Sequence, residues 1–365
     1  MLSLIFKNAS WHKFDWVLAI TMVTLTCIGL AAIYSIDLSR GDSLIYVPTQ
    51  VVAFCIGILV FIIASQVHIT MYENTSRLAY IIAFVLLLGV LFFGTTVRGT
   101  TGWFRLFGFS FQPAEIAKVA LIIFLAWRIE RQARRFDRWQ FVLATMVVTL
   151  VLAGLIMMQP DLGSALILMG VWFGMLMFVG TKKRYIWGIV GVGILTIVIA
   201  WVALFQPYQK ERVLTFLQPE RDPLGSGYNV TQSIIAIGAG TFFGRGLGFG
   251  SQSQLHFLPE AQTDFIFSVI GEELGFIGVS LVLILYFVLL WRLATIARYA
   301  RTDFSAYIVL GVFFVFLLHL IINVGAAIGL LPVTGVTLPF LSYGGSSLII
   351  SFLLIGIAES AARSS

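Results

Sequence analysis

The sequence predicts an all-α integral membrane protein of about ten transmembrane helices, with a large extracytoplasmic loop between helices 7 and 8. Three observations carry that prediction. Hydrophobic residues make up 59% of the 365-residue chain and charged residues only 11%, where a soluble domain holds about 25% charged residues. Apolar runs of about 18 or more residues recur along the chain, each long enough to cross a bilayer. Finally, the connectors between the runs alternate in basic content, as they do when the chain passes back and forth across a membrane.

The runs lie near residues 14–36, 48–66, 77–94, 112–129, 139–158, 164–180, 185–205, 265–290, 304–328 and 340–360. One set of connectors carries fifteen basic residues: Lys7 and Lys13; Arg77; Arg128, Arg131, Arg134, Arg135 and Arg138; Lys182, Lys183 and Arg184; Arg292, Arg298 and Arg301; and Arg363. The short loops of the other set hold only Arg40, Arg98 and Arg105. The positive-inside rule therefore predicts a multi-pass protein of the cytoplasmic membrane with both termini in the cytoplasm and residues 206–264 outside. The first run lacks a small-residue cleavage site and is expected to stay as a helix. The tails are short, so a single membrane domain over residues 1–365 is expected. The net charge of +6 sits in those short clusters, which argues against nucleic acid as a partner. Cys27 and Cys55 lie inside apolar runs and are expected to be buried, inert thiols.

Ionisable groups in or beside spans are costly and need a partner or a purpose. Pro113 suits the first turn of the fourth span. Glu115 and Lys118 follow it on one helical face, as a locking ion pair or as a charged wall for an anionic head group. Trp103 fits an interfacial belt position, and Arg105 beside it is placed to grip a phosphate. Asp161, in the run Gln159-Pro160-Asp161-Leu162-Gly163, is either the cap of the sixth span or part of a polar site. At least one of Glu272 and Glu273 must face protein or water. His319 and Asn323, one turn apart, are expected to form interhelical hydrogen bonds. The His and Cys residues show no metal-ligand spacing.

The loop at 206–264 is too rich in aromatic and aliphatic residues to read as disordered. Its glycines at 238, 240, 244, 246, 248 and 250 surround Arg245, as a cradle for a polyanion or as a tight turn. It ends in Leu258-Pro259-Glu260-Ala261-Gln262-Thr263-Asp264, which sets Glu260 and Asp264 where the chain re-enters the bilayer. Asp264 also fits a helix cap. Residues 331–347 form a proline-bounded break before the last span, which must line a cavity or be buried in protein.

Four of these stretches occur together in one order: residues 111–118 (FQPAEIAK), 159–163 (QPDLG), 257–276 (FLPEAQTDFIFSVIGEELGF) and 332–347 (PVTGVTLPFLSYGGSS). In this the chain resembles the SEDS (shape, elongation, division and sporulation) family. The resemblance spans almost the whole chain. It implies a peptidoglycan glycosyltransferase that polymerises lipid II on the outer face of the membrane with a class B penicillin-binding protein. It also implies that Asp264 is the family's essential acidic residue, that Glu115 and Lys118 are its charged pair, and that Asp161 is its acidic residue after Gln-Pro. Phe14-Asp15-Trp16 and the short tails look RodA-like, which implies a role in elongation and cell shape. Two positions depart from the pattern. Gln262 stands where the family usually has His, and Gly102 where it usually has Arg, with Arg105 able to substitute.

Sugar transfer with inversion needs a base on the acceptor hydroxyl and positive charge at the departing diphosphate. Asp264 is the expected base, or a ligand for a divalent cation such as magnesium or manganese acting in its place. Arg105 and Lys118, then Arg212, Arg221 and Arg245, are expected at the diphosphate. Two other readings remain at this stage: a flippase for a lipid-linked precursor, and a non-catalytic scaffold for the penicillin-binding protein.

Overall fold

The structure is a computed structural model that describes residues 14–39, 44–97, 99–106, 109–132, 138–199, 201–202, 210, 214 and 226–364. The predicted spans fall on α1 (Trp16–Leu38), α2 (Val47–Gln66), α4 (Ser76–Phe93), α5 (Pro113–Glu130), α6 (Trp139–Met157), α7 (Leu162–Phe178), α8 (Lys183–Ile199), α11 (Ile266–Arg298), α12 (Asp303–Ala327) and α13 (Gly345–Ser364). Short helices α3 (Ile69–Asn74), α9 (Ser226–Ala239) and α10 (Ser251–Gln254) complete the set among the described residues. Seven helices (α1, α2, α4, α6, α11, α12 and α13) are long and apolar enough to cross a membrane. Helix α7 is apolar but shorter, and α5 and α8 carry charges such as Glu115, Lys118, Lys183 and Arg184.

The expectation of an all-α chain needs one correction. Between α4 and α5, β1 (Thr95–Val97), β2 (Thr100–Leu106) and β3 (Phe109–Phe111) form an antiparallel meander. β-Branched Thr95, Thr96, Val97, Thr100 and Thr101 favour extended backbone. Gly99, at φ 80°, turns the first hairpin where Val97 pairs with Thr100.

Helix polarity separates two ends of the bundle. At one end Asp15 caps α1, accepting from the Leu18 amide at 3.2 Å. Its carboxylate also receives Arg292 Nε of α11 at 3.0 Å, and its amide donates to Glu359 of α13 at 3.1 Å. At the opposite end lie the start of α5, the α6–α7 turn and the starts of α11 and α13. Helix α5 runs through the middle, with Ala114, Ala117, Leu121, Leu125 and Ala126 buried. Large apolar side chains such as Leu59, Leu78, Ile284 and Phe287 point outward, as lipid contact requires. Cys27 and Cys55 are exposed on such faces, which corrects the expectation that they are buried. A thiol is apolar enough to sit among outward-facing aliphatic side chains.

Helix α11 is broken at Gly275, at φ 64° and ψ −160°. The glycine-rich stretch after α9 lies against the break and supplies the missing hydrogen bonds. The amides of Arg245 and Gly246 donate to the carbonyls of Glu272 and Glu273 at 3.0 and 2.9 Å. The amides of Phe276 and Ile277 donate to Thr241 and Phe242 at 3.0 and 3.3 Å. A Cβ on Gly244 would stand 2.1 Å from the Glu273 carbonyl oxygen, so only glycine admits this approach. Both glutamates of the pair are buried. Glu272 accepts from the amides of Gln252 and Ser253 at 2.7 and 3.1 Å. Glu273 accepts from Ser35 of α1 and from the Gly248 amide at 3.3 Å. These carboxylates therefore hold residues 248–253 to the bundle.

Candidate functional site

The site is built on the broken segment at 331–344. Backbone without helical hydrogen bonds is stable in a membrane protein only when other groups satisfy it, and side chains of α2, α12 and the segment itself do so here. Asn323 Nδ2 donates to the carbonyls of Val336 at 2.9 Å and Asp264 at 3.0 Å. His319 Nδ1 meets the Thr337 carbonyl at 2.7 Å. Gln50 Nε2 donates to the Ser342 carbonyl, and Gln50 Oε1 accepts from the Gly344 amide, each at 3.1 Å. Ser342 Oγ accepts from the Leu338 amide at 2.8 Å and donates to the Thr263 carbonyl at 2.6 Å. The segment and the loop end that carries Asp264 are thus tied together by backbone contacts.

Above them opens a cleft of about 980 Å³. Asp264, Glu260, Glu115, Lys118, Asp161, Trp103 and Arg105 all line it, so these seven residues singled out in the sequence converge. Asp264 is not the helix cap: α11 begins at Ile266 with Phe265 in the cap position and no side-chain capping bond. Glu260 is held in the left-handed region at φ 53°, a strained conformation for a residue with a side chain. Its carboxylate accepts from Thr263 Oγ1 and Gln262 Nε2 at 3.2 and 3.3 Å. Asp161 does cap its helix, accepting from the Ser164 amide at 2.9 Å, and it also takes a bond from Gln112 Nε2 at 3.1 Å.

Lys118 and Glu115 pair at 2.9 Å, with side chains 2% and 7% exposed. Their closest addition is His319, whose Nε2 lies 3.0 Å from Lys118 Nζ. A ring nitrogen facing a carbonyl must carry the proton, so Nδ1 donates to Thr337 and Nε2 is left as an acceptor for the lysine ammonium. The sequence placed His319 and Asn323 on one helical face but gave no sign that they reach Lys118 and the Asp264 loop. The contact with Lys118 arises where α12 packs on α5, and the contact with the Asp264 loop where Asn323 bonds its backbone, both between residues distant in sequence.

Arg245 is the residue that does not fit. It is exposed, it is absent from the cleft lining, and its Nε donates to the Ala239 carbonyl at 3.1 Å. The glycines around it serve the turn against α11, so a cradle for the substrate's diphosphate is corrected to a tight turn. Arg212 and Arg221 lie outside the described residues. At the two departures from the family pattern, Gln262 bonds Glu260, and Gly102 backs onto Gln159, whose Oε1 would be 3.1 Å from an added Cβ. Among the described residues no three His, Cys, Asp or Glu side chains gather as a metal site.

The family model FTSW_RODA_SPOVE, described as cell cycle protein, matches residues 15–365. The chain is 37% identical to a probable peptidoglycan glycosyltransferase FtsW of Trichlorobacter lovleyi, covering 98% of this chain and 95% of that protein. It is 36% identical to the stage V sporulation protein E of Bacillus subtilis, covering 96% and 97% of the two chains. A chain of a peptidoglycan synthase complex that coordinates polymerization and crosslinking superposes with a TM-score of 0.81 at 31% identity, covering 96% and 98%. The rod shape determining protein RodA of Thermus thermophilus superposes with a TM-score of 0.73 at 27% identity, covering 97% and 98%. The chain belongs to the FtsW, RodA and SpoVE family of cell cycle proteins, the SEDS family.

Proposed function

We propose that this protein is a peptidoglycan glycosyltransferase that polymerises lipid II into glycan strands on the outer face of the cytoplasmic membrane. The observation that carries the reading is one cleft holding Asp264 together with the cations Lys118 and Arg105. In the reaction, Asp264 takes the proton from the acceptor sugar hydroxyl as its oxygen attacks the donor's anomeric carbon from the side opposite the leaving group. The anomeric C–O bond to the diphosphate breaks, and Lys118 and Arg105 stabilise the charge that develops on the departing polyprenyl diphosphate. Glu115 and His319 hold the lysine ammonium in place, and Asn323 fixes the Asp264 backbone. Magnesium is commonly held by one or two carboxylates together with substrate phosphates. Asp264 beside a diphosphate fits that arrangement.

The topology supports the assignment to the outer face. The cleft opens at the end remote from the Asp15–Arg292 pair, and the distribution of basic residues supports a cytoplasmic location for that pair's end, in a reading with ten crossings and both termini inside. A flippase needs a polar path through the full thickness, whereas this cleft's lining on α5, α7 and α12 stops at Lys118, Ile167 and His319. A class B penicillin-binding protein is the proposed partner, in line with the synthase complex that superposes on the chain. The elongation reading rests on Phe14-Asp15-Trp16, and Asp15 has a packing role that any member could use. Complementation of strains depleted in elongation, division or sporulation enzymes assigns the process.

The test is polymerisation of labelled lipid II by purified protein with its penicillin-binding partner, comparing wild type with Asp264→Asn. The variant is isosteric and is expected to keep the fold, and it loses at least about 100-fold in rate, as removal of a general base does. Equal rates would refute the role of Asp264. A wild type that makes no glycan with any partner, while a lipid II translocation assay is positive, would favour the flippase.

A further inference from the structure

The glycine-rich turn that packs on α11 takes no part in the cleft, and its outer face is strongly apolar. Phe242, Phe243, Leu247 and Phe249 are 55%, 77%, 50% and 76% exposed. Phe242 stacks on Phe276 of α11 with ring centroids 5.7 Å apart. Below Phe276 the exposed apolar surface continues along one face of α11 through Ile277, Leu281 and Ile284, the outward stripe of a helix that spans the membrane. The aromatic turn therefore prolongs a lipid-facing surface rather than standing apart from it.

Its height in the membrane follows from α1. The Gly248 amide donates to Ser35 Oγ at 3.0 Å, which pins the turn to the outer part of α1. From Trp16 to Ser35 that helix rises about 29 Å, at about 1.5 Å per residue. A hydrocarbon core is about 30 Å thick, so a chain entering near Trp16 reaches the opposite interface near Ser35. The turn lies at that boundary, where aromatic side chains are favoured.

From these observations we infer that residues 241–249 are seated in the outer leaflet of the bilayer, with the phenylalanines among the upper acyl chains and Arg245 reaching back to headgroup phosphates. The arginine sits in the middle of the aromatic run, exposed and held through Nε by the Ala239 carbonyl. A long cationic side chain flanked by apolar ones at an interface extends its charge toward water and phosphate. The glycines let the backbone lie flat on the α11 break, which leaves the bulky side chains no direction but outward. The inference concerns the membrane and stands apart from the reaction assigned to the cleft.

Spin labels test it in full-length protein reconstituted alone in phosphatidylcholine and phosphatidylglycerol vesicles. Cys27 and Cys55 are first replaced by Ala; both are exposed, so their loss leaves the packing intact. Single labels are then placed by Phe243→Cys and Phe249→Cys, with Ile284→Cys as the lipid reference and Lys182→Cys as the aqueous one. Labels at 243 and 249 are expected to collide more often with oxygen than with a water-soluble nickel chelate, as at 284. Collisions dominated by the nickel chelate at both positions, as at 182, would overturn the inference. So would a fall in both collision rates on adding the penicillin-binding partner, which would make this face a protein interface. Two sites guard against one substitution misfolding.

Discussion

Replacing Lys118 by methionine isolates what the buried pair does for the fold from what it does for the reaction. The change removes an ammonium whose side chain is 2% exposed and leaves Glu115 and His319 Nε2 without it. Deleting one member of a buried ion pair costs about 3–5 kcal/mol, because the partner charge stays buried. Both side chains line a cleft that water can enter, so Lys118→Met is expected at the lower end, about 3 kcal/mol. Adding Glu115→Gln removes the stranded charge and leaves only imperfect hydrogen bonds, about 1–2 kcal/mol in all. The double variant is therefore more stable than Lys118→Met by about 1–2 kcal/mol, and the coupling in the cycle exceeds that difference by the cost of Glu115→Gln alone, which strands the ammonium. Unfolding by SDS titration in mixed micelles measures all four corners of the cycle, and lipid II polymerisation is assayed on the same preparations. Stability returns in the double variant while polymerisation stays low, because the cation at the diphosphate is still missing. Additive losses in the cycle would refute the coupling. Recovery of polymerisation in the double variant would remove Lys118 from the diphosphate.

Two further predictions use the same assays. His319→Gln keeps an acceptor for Lys118 and a donor for the Thr337 carbonyl, so polymerisation stays within about threefold of wild type; His319→Phe keeps the bulk alone and loses at least about tenfold, or about 1.4 kcal/mol of transition-state stabilisation. Equal loss in both variants would mean that the ring's shape matters and its hydrogen bonds do not. Gly163→Val drives a side chain into the broken segment, where a Cβ would already stand 2.6 Å from Val336 Cγ2 and 2.8 Å from the Thr334 carbonyl oxygen. Overpacking of this kind costs about 1–3 kcal/mol, so SDS unfolding shifts to lower detergent and activity falls; a wild-type midpoint would show that the segment yields freely.

Much of the architecture was legible in the residues because a bilayer imposes length and composition on every helix that crosses it. Each predicted span fell on a helix, and the four polar stretches met in one cleft. What escaped was set by contacts between distant parts of the chain. Arg245 has the right chemistry for a diphosphate, but its place is fixed by Gly244 lying on the Glu273 backbone, which local sequence does not announce. His319 reads as an interhelical hydrogen-bonding group, and it is one as the acceptor from Lys118, a contact that depends on how α12 passes α5; its donor bond goes instead to Thr337 of the broken segment. The meander at 95–111 was missed for a simpler reason. It is short, and it falls in the connector between the predicted spans at 77–94 and 112–129.

The break at Gly275 also bears on how the protein is inserted. Downstream of it, Phe276 to Arg298 gives about 34 Å of helix, enough to cross the hydrocarbon by itself. The two buried glutamates and the Asp264 loop belong to the piece upstream, whose junction with α11 is completed by amides and carbonyls from residues 241–246. That downstream piece contains no acidic residue, so its crossing of the hydrocarbon requires no carboxylate to enter lipid. In the folded chain the two glutamates are buried where the glycine-rich turn covers the joint between the two helical pieces.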